Sequence, residues 1–422
     1  MIIYKSRIIF LWYLLAAFII PVLTGAAPVV VSGGPDNDYE SWIIRMNDGR
    51  LMVIFDRNPD WASGDLYVTF STDNGVTWAA VTPIIIETGD QATLTFVQLP
   101  CDTLRVWYAS NEAGNYAIYT AYSLDGLTWI RQGAIDLGWS SSSTYYDPTV
   151  ILEPDSSLTM SYRVQGSGGY IAHCPNHGNW DTLRTLVAPS GNRTRVMKHA
   201  NGTYLYAYHR RSGPGQYDYD VFIKTATDRV FWSDSVRLTT NLNSHDPFPN
   251  EGADGAYVVY YAKYVSPAYN LYRRRSYNTT TWLTEEQITS DAVYNTQPHF
   301  FVESGDVYLV WAHAIVYETN NDVYFERSAD LAVAEHEPSA IGSRARVFPT
   351  PGCGRISIIP ASMVSDRARV VVYSSSGQLV GSAVRQGEIF CIDTSPLPAG
   401  VYFVNIDDGD RRQRAKFTVL KP

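Results

Sequence analysis

Ser71-Thr72-Asp73-Asn74-Gly75-Val76-Thr77-Trp78 is the stretch on which the fold turns. Its pattern, Ser-x-Asp-x-Gly-x-x-Trp, holds the ingredients of a tight turn between strands. Asp and Asn cap backbone amides, Gly takes a positive φ, and Trp packs the turn down. The pattern recurs. Ser123-Leu124-Asp125-Gly126-Leu127-Thr128-Trp129 is a second copy, one residue shorter. Weaker copies end at Trp180, Trp232 and Trp282, so the five Trp follow at steps of 51, 51, 52 and 50 residues. Ser328-Ala329-Asp330 stands where a sixth turn is due, without its Trp. A repeat of this length, rich in strand formers, predicts one propeller blade per copy.

Each repeat reads as four short strands. In the first these are Trp42 to Met46, Leu51 to Phe55, Leu66 to Phe70 and Val81 to Ile86, with Asn47-Asp48-Gly49 as the first hairpin. The sixth repeat lacks an outer strand, because the chain after Asp330 reads as a linker through Pro338. An open sheet edge there would be a liability. Pro28-Val29-Val30-Val31-Ser32 has the composition to fill it, so the N-terminal strand is expected to complete blade six.

The ends of the chain read differently. Lys5 and Arg7, the apolar run Ile8 to Leu23 and the small residues Gly25-Ala26-Ala27 make a signal peptide over residues 1–27. A retained membrane anchor is the competing reading, but the run is short and carries Pro21. The propeller is then expected over 28–334, a linker over 335–344 and a small antiparallel sandwich over 345–422. Cys353 and Cys391 fall in that last module, where an oxidising compartment permits pairing. Cys101 and Cys174 fall in different repeats, and a bridge or two buried thiols are both open. No Cys/His spacing suggests zinc, and no metal or cofactor is expected.

Composition bounds the partners. Of 422 residues 13% are aromatic, including 30 Tyr and 11 Trp, which favours an all-β protein with surfaces that stack on sugars. The net charge of −9, with Arg273-Arg274-Arg275 as the one basic run, argues against nucleic acid.

Two resemblances follow from these motifs. The Asp turns are similar to the Asp-box, or BNR, repeats of the sialidase superfamily, whose propellers have six blades. The resemblance covers about residues 28 to 334. It implies that Asp73 and Asp125 are structural, because the boxes sit at the rim away from the pocket. The second lies in Phe348-Pro349-Thr350-Pro351, Val372-Tyr373 with Gly377-Gln378, and Leu397-Pro398-Ala399-Gly400-Val401-Tyr402. These resemble the C-terminal sorting module of proteins exported by the type IX secretion system, with Cys353-Gly354 as a departure. The implied fold is a six-bladed β-propeller followed by an Ig-like β-sandwich. The implied destination is the medium or the cell surface, through the periplasm, with the type IX machinery as partner and the protein a monomer.

Candidate chemistry lies at the mouth, where each innermost strand begins. Counting back eight places from Asp48, Asp155, Asn201 and Asp254 gives Glu40, Asp147, Arg193 and Asp246. Context adds Gln91 and Gln297. Glu40, Asp147 and Asp246 are the candidate catalytic carboxylates, with Arg193 between the last two, holding the nearer one ionised. Capping of strand entries is the alternative role. Loops on the same face carry Arg57, Trp61, Arg163 and Arg210, and the entry to blade three adds Trp139 and Tyr146. Carboxylates, Arg and aromatics on one mouth suit a carbohydrate or glycoconjugate. True sialidases carry Arg-Ile-Pro ahead of blade one, whereas Tyr39-Glu40-Ser41 stands here, so their arginine triad is not recognisable. Two functions remain open: a secreted glycoside hydrolase, and a non-catalytic propeller for glycan binding, protein binding or adhesion.

Overall fold

The second strand of most repeats is an almost unbroken apolar run. In Leu51-Met52-Val53-Ile54-Phe55 every residue is fully buried. A strand with both faces covered has no need of alternation, and a sheet gains two covered faces when it stacks between neighbours. The computed structural model meets this condition with six four-stranded antiparallel sheets arranged as a ring. It describes residues 28–60, 62–316, 319–329, 346–350, 355–359, 369–374, 379–386, 389–407 and 412–419. The proposed signal peptide, Trp61, Asp330, the linker and Cys353 lie outside these. Among the described residues no helix is long and apolar enough to cross a membrane.

The innermost strands, blade by blade, are Asn37–Arg45, Gln91–Gln98, Tyr145–Leu152, Asn192–Lys198, Ser244–Glu251 and Tyr294–Glu303. Blades one to five each follow four strands in sequence order. Blade six is assembled from both parts of the chain. Its fourth strand is Val29–Val30, paired antiparallel with Asp322–Ala329 through Val29↔Phe325 and Val30↔Tyr324. The expected closure is therefore present, and it is one residue pair longer in backbone bonding, since Val31 N donates to Val323 O.

The Asp turns tie blade to blade. Ser71 Oγ accepts the Gly75 amide at 2.8 Å, and Asp73 accepts the Thr77 amide at 2.9 Å and the Thr77 hydroxyl at 2.6 Å. Asp125 accepts the Leu127 and Thr128 amides, Asp228 those of Val230 and Phe231, and Asn278 those of Thr280 and Thr281. The bonds from Thr77, Asp73's own partner, hold its pKa down at about 2. A Cβ on Gly75 would collide with Phe325 of blade six, and one on Gly126 with Phe70 of blade one. The Gly of the motif thus serves close packing against the preceding blade as well as the turn.

The chain divides into two compact units at Leu331/Ala332. The second is two four-stranded sheets around Ile356, Ile358, Val370, Val372, Phe390, Ile392, Tyr402, Val404 and Ile406. Tyr402 donates its hydroxyl to Pro398 O at 2.8 Å, fastening the Leu397–Tyr402 corner.

Deleting residues 28–33 should strip the fourth strand from blade six and expose the edge of Asp322–Ala329. The melting temperature is expected to fall by several degrees, or the protein to aggregate. An unchanged melt would show that the ring holds without this strand.

Candidate active site at the propeller mouth

Every innermost strand breaks register once, near its start. The breaks fall after Tyr39, Ala92, Tyr146, Asn192, His245 and Thr296. At each, a non-glycine residue takes a left-handed conformation: Glu40 (φ 50°), Thr93 (43°), Asp147 (57°), Arg193 (48°), Asp246 (52°) and Gln297 (53°). Such a residue costs about 1–3 kcal/mol and persists where its surroundings over-determine it. Bulges of this kind re-aim side chains, here toward the mouth.

Five of the six positions are those counted from the hairpins or assigned by context. Blade two is the correction. Its bulge residue is Thr93, while Gln91 is fully buried and donates to Thr88 O and Ser110 Oγ. The Leu99 to Thr103 hairpin carries Cys101-Asp102 where the first has Asp48-Gly49, so the marker for the count is absent. Eight places back from Cys101 is Thr93.

Three of the six bulge amides are held by side chains of the neighbouring blade. The amide of Glu40 donates to Gln297 Oε1 at 3.2 Å, that of Asp147 to Thr93 Oγ1 at 3.2 Å, and that of Asp246 to His209 Nδ1 at 3.1 Å. In each case the acceptor belongs to the preceding blade. The three carboxylates then meet one cation. Arg193 pairs with Glu40 through Nη1, with Asp147 Oδ1 at 3.1 Å and with Asp246 Oδ1 at 3.5 Å. Arg195 adds a 3.5 Å contact to Glu40, and Gln297 donates to Glu40 Oε1 at 3.0 Å.

Protonation states diverge within this cluster. Burial opposes the charged form of Asp246, but His245 at 2.8 Å and Arg193 outweigh it and hold the carboxyl below its ordinary range. For Glu40 burial wins over Arg193 and Arg195, and its pKa is raised. Burial lowers His209 to about 3, so its ring is neutral and accepts the Asp246 amide. Arg193, among acids, stays charged.

Two cavities open around the arginine. One, of ≈ 410 Å³, is lined by Glu40, Asp56, Asp90, Tyr146, Asp147 and Arg163 among others. The other, of ≈ 220 Å³, is lined by His209, Tyr217, Tyr219, His245, Asp246 and Tyr269, and both share Tyr39, Arg193 and Gln297. Tyr146 and Arg163 therefore stand at the mouth as expected, with the guanidinium 4.8 Å over the ring. Three expected residues are engaged elsewhere. Arg57 forks onto Asp38 at 2.7 and 2.9 Å, because that buried acid needs a cation. Arg210 lies over the Phe222 ring at 4.4 Å. Trp139 packs in blade three and donates to Tyr162 at 3.1 Å. Trp61 lies outside the described residues. The Tyr-rich cavity has no motif in the sequence; its residues are drawn from several strand ends and from the loop at Tyr217. Among the described residues no group of three His, Cys, Asp or Glu is arranged to hold a metal ion.

The comparisons with known proteins bear on the fold and on the C-terminal module. Residues 346–420 match the secretion system C-terminal sorting domain family. That module directs export to the cell surface or the medium. No curated protein matches the chain. The propeller is similar in fold to a Dyadobacter fermentans protein of unknown function, at 13% identity and TM-score 0.57, over 73% of this chain and 99% of that one. It is similar to a Penicillium chrysogenum α-L-arabinanase complexed with arabinobiose, at 16% identity and TM-score 0.55, again over 73% and 99%. It is also similar to the NanB sialidase of Streptococcus pneumoniae, at 8% identity and TM-score 0.55, over 73% and 70%. The fold is that of the sialidase and arabinanase propellers.

Two outcomes test the charge cluster and the sorting module. A carboxyl with a folded pKa below its unfolded value stabilises the fold above that unfolded value, and the gain is lost as pH falls through the folded one. Asp246→Asn should thus melt below the parent at neutral pH, and the gap should close as pH falls below 3.8. Thermal melts of both proteins across that range check the sign. Removing residues 345–422 should leave a folded propeller that stalls in the periplasm of the native host. Normal amounts of the truncated protein at the surface or in the medium would contradict the sorting role.

Proposed function

We propose that the mouth binds and hydrolyses an uncharged glycan outside the cell, after export through a signal peptide and the sorting module. One observation carries the reading: two cavities, one acidic and one tyrosine-rich, meet over three carboxylates, two buried and one partly buried, that share Arg193. Hydrolysis needs a proton donor at the leaving oxygen and a carboxylate that attacks or activates water. Asp147 suits the second role, since its Oδ1 is fixed by Arg193 while Oδ2 has no hydrogen-bond partner among the described residues. Tyrosine faces suit the apolar faces of sugar rings.

Charge selects the class of sugar. The mouth lining holds five carboxyl groups, Glu40, Asp56, Asp90, Asp147 and Asp246, against the guanidiniums of Arg163, Arg193 and Arg195. Arg193 is already neutralised by three acids, which disfavours an anionic sugar such as a sialic acid. Among the fold neighbours the arabinanase with its bound arabinobiose is the nearer functional parallel. All six bulge residues come from one chain, so a monomer suffices.

A second reading, glycan binding without turnover, is favoured by the same sharing of Arg193, which can hold the carboxylates as a rigid frame. A panel of neutral oligosaccharides, scored for binding on an array and for products by mass spectrometry, separates the two. Asp147→Asn and Asp246→Asn should each abolish product formation, by about 100-fold or more, with binding nearly intact. Binding lost in both variants, with no product from the parent, would make the mouth a lectin-like site. Neither property changing would leave the carboxylates as strand-entry caps.

A further inference from the structure

The shared arginine creates a shortage. Glu40, Asp147 and Asp246 all touch Arg193, and a mouth that cleaves glycosides also needs an acid that keeps its proton. We infer that Asp56, the buried carboxyl group on the wall of the larger cavity, is that proton donor. The inference rests on the hydrolytic reading and deepens it.

Asp56 lies near the end of Leu51–Asn58, the second strand of blade one, paired across the ladder with Tyr39 beside the Glu40 bulge. It is 3% exposed and lines the same cavity as Glu40 and Asp147. Its Oδ1 has no hydrogen-bond partner among the described residues. An unanswered buried oxygen on a carboxyl group that lines a cavity asks for an explanation, and a group that meets a substrate oxygen supplies one.

Its neighbours favour the neutral acid. Facing it are Glu40 and Asp38 from the first strand, Asp90 from the entry to blade two, and Arg193 from blade four. Asp38 is committed to Arg57, and Asp90 accepts from Tyr116, Asn58 and the Gly64 amide. Arg193 is shared among the three other carboxylates. Burial first, then Glu40 and Asp90, push the Asp56 pKa well above the carboxylate range against the single opposing pull of Arg193. The contrast with Asp246 is the separation of titrating groups that acid–base chemistry requires.

The step balances within the mouth. Asp56 gives its proton to the glycosidic oxygen as the bond from that oxygen to the anomeric carbon breaks. The leaving sugar departs as an alcohol, and Asp56 is left as a carboxylate. A water oxygen bonds to the anomeric carbon and Asp147 accepts the proton that water releases; Asp147 then gives that proton up to solvent, and solvent returns one to Asp56. The sum is one glycoside and one water giving two hydroxyl products.

The test uses methyl and 2,4-dinitrophenyl glycosides of arabinofuranose, galactose, xylose and glucose, with parent, Asp56→Asn and Asp147→Asn. Methanol is a poor leaving group that needs protonation; dinitrophenolate departs without it. Asp56→Asn should lose about 100-fold or more on the methyl glycoside and under about 10-fold on its dinitrophenyl counterpart. The alkaline limb of its kcat/KM profile should vanish. Asp147→Asn should lose both substrates alike. Retained dinitrophenyl activity shows that the variant is folded. Equal losses of Asp56→Asn on both substrates, or no loss, would overturn the role of Asp56 while leaving hydrolysis standing. A parent inactive on all eight compounds would overturn hydrolysis on these sugars, and the donor role with it.

Discussion

A ring of sheets has no independent core until it closes. Each blade exposes two apolar faces, and only its neighbours can cover them, so the last contact formed completes the burial of the first. Val29–Val30 performs that closure by adding an N-terminal strand to a sheet whose other three come from the far end of the propeller. The Asp turns act on the same seam. The ring of Phe325, beside the closing strand, receives Gly75 and packs edge-on to Trp78 at 5.3 Å. Closure, turn motif and inter-blade packing are thus one device.

That rigidity is what makes the mouth tolerable. Six non-glycine residues in left-handed conformations and a cluster of buried charges each oppose folding on their own. The ring holds them by fixing each carboxylate-bearing amide on the preceding blade and each carboxylate on a common guanidinium. One cation serving three acids leaves little field for any other. The consequence is a graded set of carboxyl groups: Asp246 held low by His245 and Arg193, Glu40 raised by burial despite two arginines, Asp56 raised furthest by burial and by the acids beside it.

The fold was legible because its signals are local. Ser-x-Asp-x-Gly-x-x-Trp specifies a turn within eight residues, its recurrence counts blades, and a missing outer strand points to a spare β-branched segment. Much of the mouth was legible for the same reason, since a hairpin at fixed distance marks each strand entry. The count failed where Cys101-Asp102 replaced the Asp-Gly marker and Thr93 went unread. Side-chain engagement was not legible. Arg57 is claimed by Asp38 and Trp139 by Tyr162, choices made by packing across strands rather than by position. The tyrosine cavity was hidden likewise, since Tyr217 and Tyr269 share no motif and meet only in space.

The recurring bulge separates two kinds of information. The backbone at each strand entry is the same in all six blades, whatever side chain it carries: Glu, Thr, Asp, Arg, Asp or Gln. The scaffold therefore offers six sockets around one axis, each built on the same backbone bulge. A new specificity in such a ring is a matter of re-lettering sockets one at a time. Thr93 and Gln297, which accept the amides of Asp147 and Glu40, and Asp246, whose amide donates to His209, set which changes must be made in pairs.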